Sequence, residues 1–292
     1  MTGAAAVFAP GFFSSAPVHT ALALGSVVAI VCGIVGVFTV IRGQAFAGEA
    51  LSDIGAAGGS ASFLAGVAPV WGFLAASLAA AAAMEMIGVQ RARGRDLATG
   101  IVLGTSLGLA ALFLYLDSTQ QTGSGTTVTI LFGSLFALSP SLIPGVAALS
   151  LIAAGAVCVL QRPLMLSSLS ADLAAVRGIR IRLLGVGYLA ALAVAVALAA
   201  LTIGAILGTA LLVGPAAAAL RLTRRPGLAM LASAALGVLA IWIGVLLAYD
   251  SYLWPDPGWP VSFFVVALVF LFYLGSGLLG PRRSGQREQG SR

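Results

Sequence analysis

Between Arg182 and Arg221 the chain reads LLGVGYLAALAVAVALAALTIGAILGTALLVGPAAAAL, residues 183–220, without one charged side chain. A helix needs about 20 apolar residues to cross roughly 30 Å of hydrocarbon. This run holds two such segments, 183–201 and 203–220, with arginine at each outer end. Two membrane crossings that begin and end at arginines are the simplest reading, because Lys and Arg collect on the cytoplasmic side of membrane helices.

The same pattern continues in both directions. Seven further stretches are long and apolar enough to be read as crossings: 20–41, 48–68, 70–89, 97–116, 139–161, 227–249 and 260–280. Of the 292 residues, 60% are hydrophobic and 8% charged, and the mean hydropathy is +1.08. A soluble domain carries about a quarter charged residues, and one of this size has too little interior to hide so much apolar side chain. The composition excludes a soluble enzyme, a nucleic-acid binder and a disordered chain. The reading is an all-α polytopic membrane protein with about nine transmembrane helices, plus a short outer half-helix and a short helix on the cytoplasmic surface. Residues 1–19 form an N-terminal segment, 20–280 the membrane domain, and 281–292 a polar cytoplasmic tail.

All 15 basic residues are Arg. They fall in clusters: Arg42; Arg91, Arg93 and Arg95; Arg162 to Arg182; Arg221, Arg224 and Arg225; and Arg282, Arg283 and Arg287. These mark the inner side. The loops 117–126 and 250–258 contain no Arg and are placed outside, with Tyr249, Tyr252, Trp254 and Trp259 anchoring the second at headgroup level and Pro255, Pro257 and Pro260 keeping it non-helical. An odd number of crossings must then separate 117–126 from Arg162, so Ile130-Leu131-Phe132-Gly133-Ser134-Leu135-Phe136 is expected as an outer half-helix buried in protein. The same parity puts the N-terminus outside and the C-terminus in the cytoplasm. No Arg precedes Arg42, so residues 1–20 do not read as a cleaved signal peptide. Without a Lys the chain has no P-loop for ATP. Cys32 and Cys158 read as unpaired structural thiols, and His19, the only histidine, as a surface residue. One histidine excludes a His-based triad and a His-Glu-x-x-His zinc site.

A carboxylate inside a membrane costs about 2.5–3.5 kcal/mol on insertion scales, so each needs a reason. Glu49 and Asp53, four apart in Gly48-Glu49-Ala50-Leu51-Ser52-Asp53, share one helical face. Two like charges there call for a cation, a buried arginine, water or a shared proton. A hard divalent ion or a proton suits them; a polar loop in which both acids are capping or solvated is the alternative. Asp53 is about 16 Å beyond Arg42 at 1.5 Å per helical residue. Glu85 is expected to pair with inner arginines or water, Asp96 to cap the fourth crossing, and Asp117, Asp250 and Asp256 to lie in solvated outer loops.

The segment from Arg162 to Arg182 is the longest inner connection. Ser170 is a good N-cap, Asp172 follows in the first turn, Leu173, Ala174 and Val176 supply an apolar face, and Gly178 ends the helix. A short amphipathic helix parallel to the membrane is expected, touching either lipid or a partner protein.

Several of these stretches, in order over roughly residues 18–278, resemble the membrane permease subunits of bacterial ABC importers for zinc and manganese. Gly48-Glu49-Ala50-Leu51-Ser52-Asp53 is similar to the family's Gly-Asp-x-Leu-(Ser/Ala)-His. Asp96-Leu97-Ala98-Thr99-Gly100-Ile101 resembles its Asp-x-Ala-x-Gly-Ile, and Leu131-Phe132-Gly133 its Leu-Phe-Gly. Ser170-Ala171-Asp172-Leu173-Ala174 with Gly178 looks like its coupling helix. Leu211-Leu212-Val213-Gly214-Pro215-Ala216-Ala217 resembles its Leu-Leu-Ile-x-Pro-Ala-Ala, and Pro257-Gly258 fits before the last helix. The resemblance implies a homodimer in the plasma membrane, separate ATPase subunits that bind the ATP, and a solute-binding protein or lipoprotein that delivers the metal. The chain itself would hold no cofactor and catalyse nothing.

By the same resemblance Glu49 and Asp53 are the residues of metal passage, and Ser170, Asp172, Leu173, Val176, Arg177 and Gly178 meet the ATPase. The chain departs from the family's pattern here: Glu stands for its Asp, and Asp53 for its His. Oxygen ligands suit harder ions than imidazole does, so the cargo is a divalent metal of the zinc or manganese kind or, alternatively, not a metal. An actinobacterial branch linked to surface-anchored repeat proteins is also similar. A stand-alone cation-coupled secondary transporter is the competing class, which internal repeats would favour; the two halves show none.

Overall fold

The computed structural model describes residue 12 and residues 15–87, 92–120, 130–133, 135–251 and 259–279. Among these residues there are ten α-helices and no strand. They are α1 (Ala16–Ile41), α2 (Ala45–Leu64), α3 (Pro69–Ile87), α4 (Ala92–Gln120), α5 (Ile143–Leu169), α6 (Ala171–Val176), α7 (Ile181–Ile203), α8 (Ala205–Leu222), α9 (Pro226–Asp250) and α10 (Val261–Leu279).

Each of the nine apolar stretches becomes a long helix, but only seven are long and apolar enough to cross a membrane by themselves: α1, α3, α5 and α7 to α10. Seven crossings are shown in this way, and α2 and α4 differ from those seven in composition. Helix α2 carries Glu49, Asp53, four glycines and three serines, which dilute its hydropathy. Helix α4 has charged ends, and its apolar part is limited to Gly100–Phe113.

Helices α1 and α7 form the centre. Val28, Ala29, Val31, Cys32 and Val35 of α1 and Tyr188, Leu189, Leu192 and Ala193 of α7 are fully buried. A helix buried over most of its surface is apolar nearly all round, and both expose few large side chains, Ile30 on α1 and Leu183 and Val186 on α7. Helix α1 packs against α5, α7, α8 and α9, and α2 packs against α3, α4, α7 and α8. Small residues set these distances: a side chain at Gly33 would strike the backbone of Ala234, and one at Gly36 the carbonyl of Leu212.

Several boundaries differ from expectation. Helix α5 runs through Pro163 to Leu169, so the inner connection is shorter than 162–182. Proline removes one i→i−4 hydrogen bond but does not end this helix. Helix α4 continues to Gln120 and α9 to Asp250, which makes Asp117 and Asp250 helical rather than loop residues. Asp96 is four residues inside α4, too deep to cap it. Residues 130–132 are helical and Leu135–Ala137 and Pro140–Leu142 are single 3-10 turns. The described part of the expected outer half-helix is therefore too short for a crossing. The loops 121–129 and 252–258, Arg91, the tail 281–292 and residues 1–11, with the expectations placed on them, lie outside the described residues.

Candidate functional site

Helix α2 follows α1 after a three-residue connection, Arg42 to Gln44. The amide of Gly43 donates to the carbonyl of Val40 (3.1 Å) and that of Gln44 to the carbonyl of Thr39 (2.9 Å), which closes the end of α1 and starts α2 at a fixed angle. Glu49 and Asp53 follow in the second and third turns. Both are helical, so neither caps α2. Glu49 is half-buried and Asp53 is 8% exposed. One oxygen of Asp53, Oδ2, is enclosed and accepts no hydrogen bond. A buried acceptor without a partner is costly, and an arriving cation or proton supplies one.

The neighbouring face of α2 fixes this pair in depth. Ser52 Oγ donates to the carbonyl of Ala205 (2.9 Å), the first residue of α8. Ser77 Oγ of α3 donates to the carbonyl of Leu51 (3.0 Å). Gly48 lies against Leu212. Ala205 follows the break between α7 and α8, which occurs at Gly204 with φ 102°. Against that break sits Gly133, with φ 75°. The acids thus share α2 with a serine that bonds to the break between α7 and α8. Among the described residues no third His, Cys, Asp or Glu completes a cluster. Any metal held at Glu49 and Asp53 takes its remaining ligands from carbonyls, hydroxyls or water.

At the arginine-rich end the short helix forms as expected, over a narrower range. Ser170 Oγ accepts from the amide of Leu173 (3.3 Å) as its N-cap. Gly178, with φ 75°, ends it, and the amide of Ile179 donates to the carbonyl of Ala174 (3.1 Å). The expected apolar face is corrected: Ala174 is fully buried, whereas Leu173 (60%) and Val176 (86%) point outward. Residues three apart share a helical face, so Leu173 and Val176 turn outward together while Ala174 faces inward. Arg177 is exposed and lines, with Arg162, Met165, Leu166, Leu169 and Pro226, a cleft of about 880 Å³ beside α6. Asp172 is in the first turn of α6.

Sequence reasoning missed a polar junction between α1, α5 and α7. Arg42 Nη1 donates to Ser167 Oγ (3.0 Å), its guanidinium lies 5.1 Å from the centre of the Tyr188 ring, and Tyr188 Oη is 2.9 Å from Thr39 Oγ1. The signal was present: Tyr188 is the lone polar residue between Leu183 and Leu201, and Thr39 one of few in the run 20–41. Cys32 is buried and Cys158 exposed, both free, and His19 is exposed, as expected. Glu85 is buried at the end of α3.

The chain is similar to known proteins in both sequence and fold. A family model described as the ABC 3 transport family matches residues 15–276. The chain belongs to that family. Within it, the chain is 28% identical over 267 residues to the manganese import system permease protein ScaB of Streptococcus parasanguinis, covering 90% of this chain and 89% of that one. It is 26% identical to the manganese transport system membrane protein MntC of Halalkalibacterium halodurans, covering 91% of each. Among solved structures it resembles PsaBC from Streptococcus pneumoniae in complex with Fab, with a TM-score of 0.75, 25% identity, and 93% of this chain and 94% of that chain covered. The chain is a multi-pass membrane transport subunit of the ABC 3 family.

Proposed function

We propose that this permease moves a divalent metal ion inward, manganese by preference, with Glu49 and Asp53 as its ligands on the path. The observation that supports this reading most is the enclosed, unpartnered oxygen of Asp53 one turn from a second carboxylate. An all-oxygen pair favours a hard ion over zinc, in keeping with the manganese named for its relatives. Nine crossings, counting α2 and α4, put the arginine clusters and the C-terminus in the cytoplasm. There the exposed Leu173 and Val176, with Arg177 and the cleft beside them, receive a separate ATPase subunit. That subunit binds the ATP, and a binding protein delivers the ion from outside. Two copies of the permease form the pathway. Closure of the ATPases moves α6 and switches the helix packing between two states.

The test is uptake of radioactive Mn2+ by proteoliposomes holding the permease with its ATPase and binding protein. Glu49→Ala with Asp53→Ala should abolish uptake while ATPase assembly persists. Undiminished uptake in that variant removes the pair from the path. Uptake without any ATPase removes the importer reading.

A further inference from the structure

We infer that Arg42 is the positioning residue that carries motion of the Ser167–Gly178 segment into helix α2, and so to Glu49 and Asp53. The inference rests on the importer reading above for what moves the segment, but not for the ion.

The geometry is specific on both sides of the guanidinium. Ser167 lies in the last turn of α5, three residues before the N-cap of α6. Its hydroxyl already donates to the carbonyl of Leu164 (3.0 Å), so its lone pairs are left to accept from Arg42. Leu164 itself is fully buried. Immediately before it Pro163 interrupts the hydrogen-bond ladder of α5, so residues 164–169 are the piece of the helix freest to tilt. Arg42 holds the tilting piece, not the rigid one.

On the other side Arg42 is the C-cap of α1. Thr39 Oγ1 donates to the carbonyl of Val35 (3.1 Å), so Tyr188 supplies the proton of the Tyr188–Thr39 bond. The ring over which Arg42 lies is thereby held in place by α1 itself. The turn that follows is closed by the Gly43 and Gln44 amides, and Gln44, 3% exposed, begins α2. Gly48 bonds back to Gln44 (3.1 Å). No slack exists between Arg42 and Glu49: one closed turn and one turn of helix. A pull at Ser167 therefore reaches the acids through hydrogen-bonded backbone.

The experiment uses the full permease with its ATPase in proteoliposomes, in a Cys158→Ser background carrying Phe46→Cys. Phe46 is 70% exposed in the first turn of α2, and its reaction with a water-soluble maleimide is timed with and without ATP plus vanadate. The parent should show a nucleotide-dependent change in labelling of threefold or more. Arg42→Gln should reduce that change to under 1.5-fold with ATPase turnover within twofold of the parent, Arg42→Lys should restore part of it, and Mn2+ uptake per ATP should fall about tenfold in Arg42→Gln. A nucleotide response of the parent size in Arg42→Gln overturns the inference. Should Arg42→Gln not assemble, Ser167→Ala with Tyr188→Leu removes the hydroxyl and the ring face that Arg42 touches and keeps the charge; its labelling response must also fall at least twofold, and an unchanged response overturns the inference. The labelling readout needs no ion, so a parent that responds to nucleotide but takes up no Mn2+ refutes the cargo and leaves Arg42 in its role.

Discussion

Gly133 and Gly204 interlock backbone to backbone. A methyl at Gly133 would land on the carbonyl of Thr202 and the Ile203–Gly204 peptide, and one at Gly204 would land on the carbonyl of Leu131. Both have positive φ, 75° and 102°, a region costly for residues with a Cβ. The contact seats the 130–133 segment on the gap between α7 and α8, beside the Ala205 carbonyl that receives Ser52.

This pair predicts that Gly204→Ala and Gly133→Ala each destabilise the protein by about 1–3 kcal/mol through strained backbone alone, with more from the overlap. The double variant should fall short of the sum, because both lose one contact. Gly104→Ala in α4, where a methyl meets nothing within 4 Å, should be neutral or stabilising by up to about 1 kcal/mol. Thermal unfolding in detergent measures all four variants. Equal midpoints for Gly204→Ala and Gly104→Ala would refute the interlock.

Asp53→His should shift the ion preference. Imidazole is a softer ligand than carboxylate, so Zn2+ should compete against Mn2+ uptake roughly tenfold better in this variant than in the parent. The check is competition in proteoliposomes, and an unchanged Zn2+ to Mn2+ ratio separates Asp53 from selectivity.

Leu173→Asp and Val176→Asp place charge on exposed positions, so folding should be unaffected and co-purification of the ATPase should fall tenfold or more. Ala174→Leu forces bulk into a fully buried position and should cost about 1–3 kcal/mol. Size-exclusion elution and melting midpoint distinguish the two outcomes. A normal ATPase yield with Leu173→Asp would move the docking surface elsewhere.

N-ethylmaleimide should modify one cysteine per native chain and two after denaturation, because Cys158 is exposed while Cys32 is buried with its thiol 3.6 Å from the Ala195 carbonyl. Mass spectrometry of the intact protein counts them. Two adducts on the native chain would contradict the placement of α1 at the centre.

Apolar run length was enough to locate every long helix, because hydrocarbon thickness imposes it. Capping chemistry located α6 through Ser170 and Gly178, whose roles are local. Glu49 and Asp53 stood out because acids are rare in such runs. The rest depended on tertiary neighbours. That α5 survives Pro163 is decided by its packing against α1 and α7. The outward turn of Leu173 and Val176 depends on which side of α6 meets α5. The Arg42 junction joins residues more than a hundred positions apart, and no periodicity records it.

Helices α2 and α3 touch through Gly58 and Gly72, where a side chain on either would overlap the other's carbonyl, and Ser77 ties α3 to α2 at Leu51, two residues before Asp53. Two rods locked at the level of their main chains cannot spin past one another. The acids are therefore delivered by a two-helix paddle, and a saturation screen for growth on scarce metal should find Gly58 and Gly72 as intolerant of change as the carboxylates themselves.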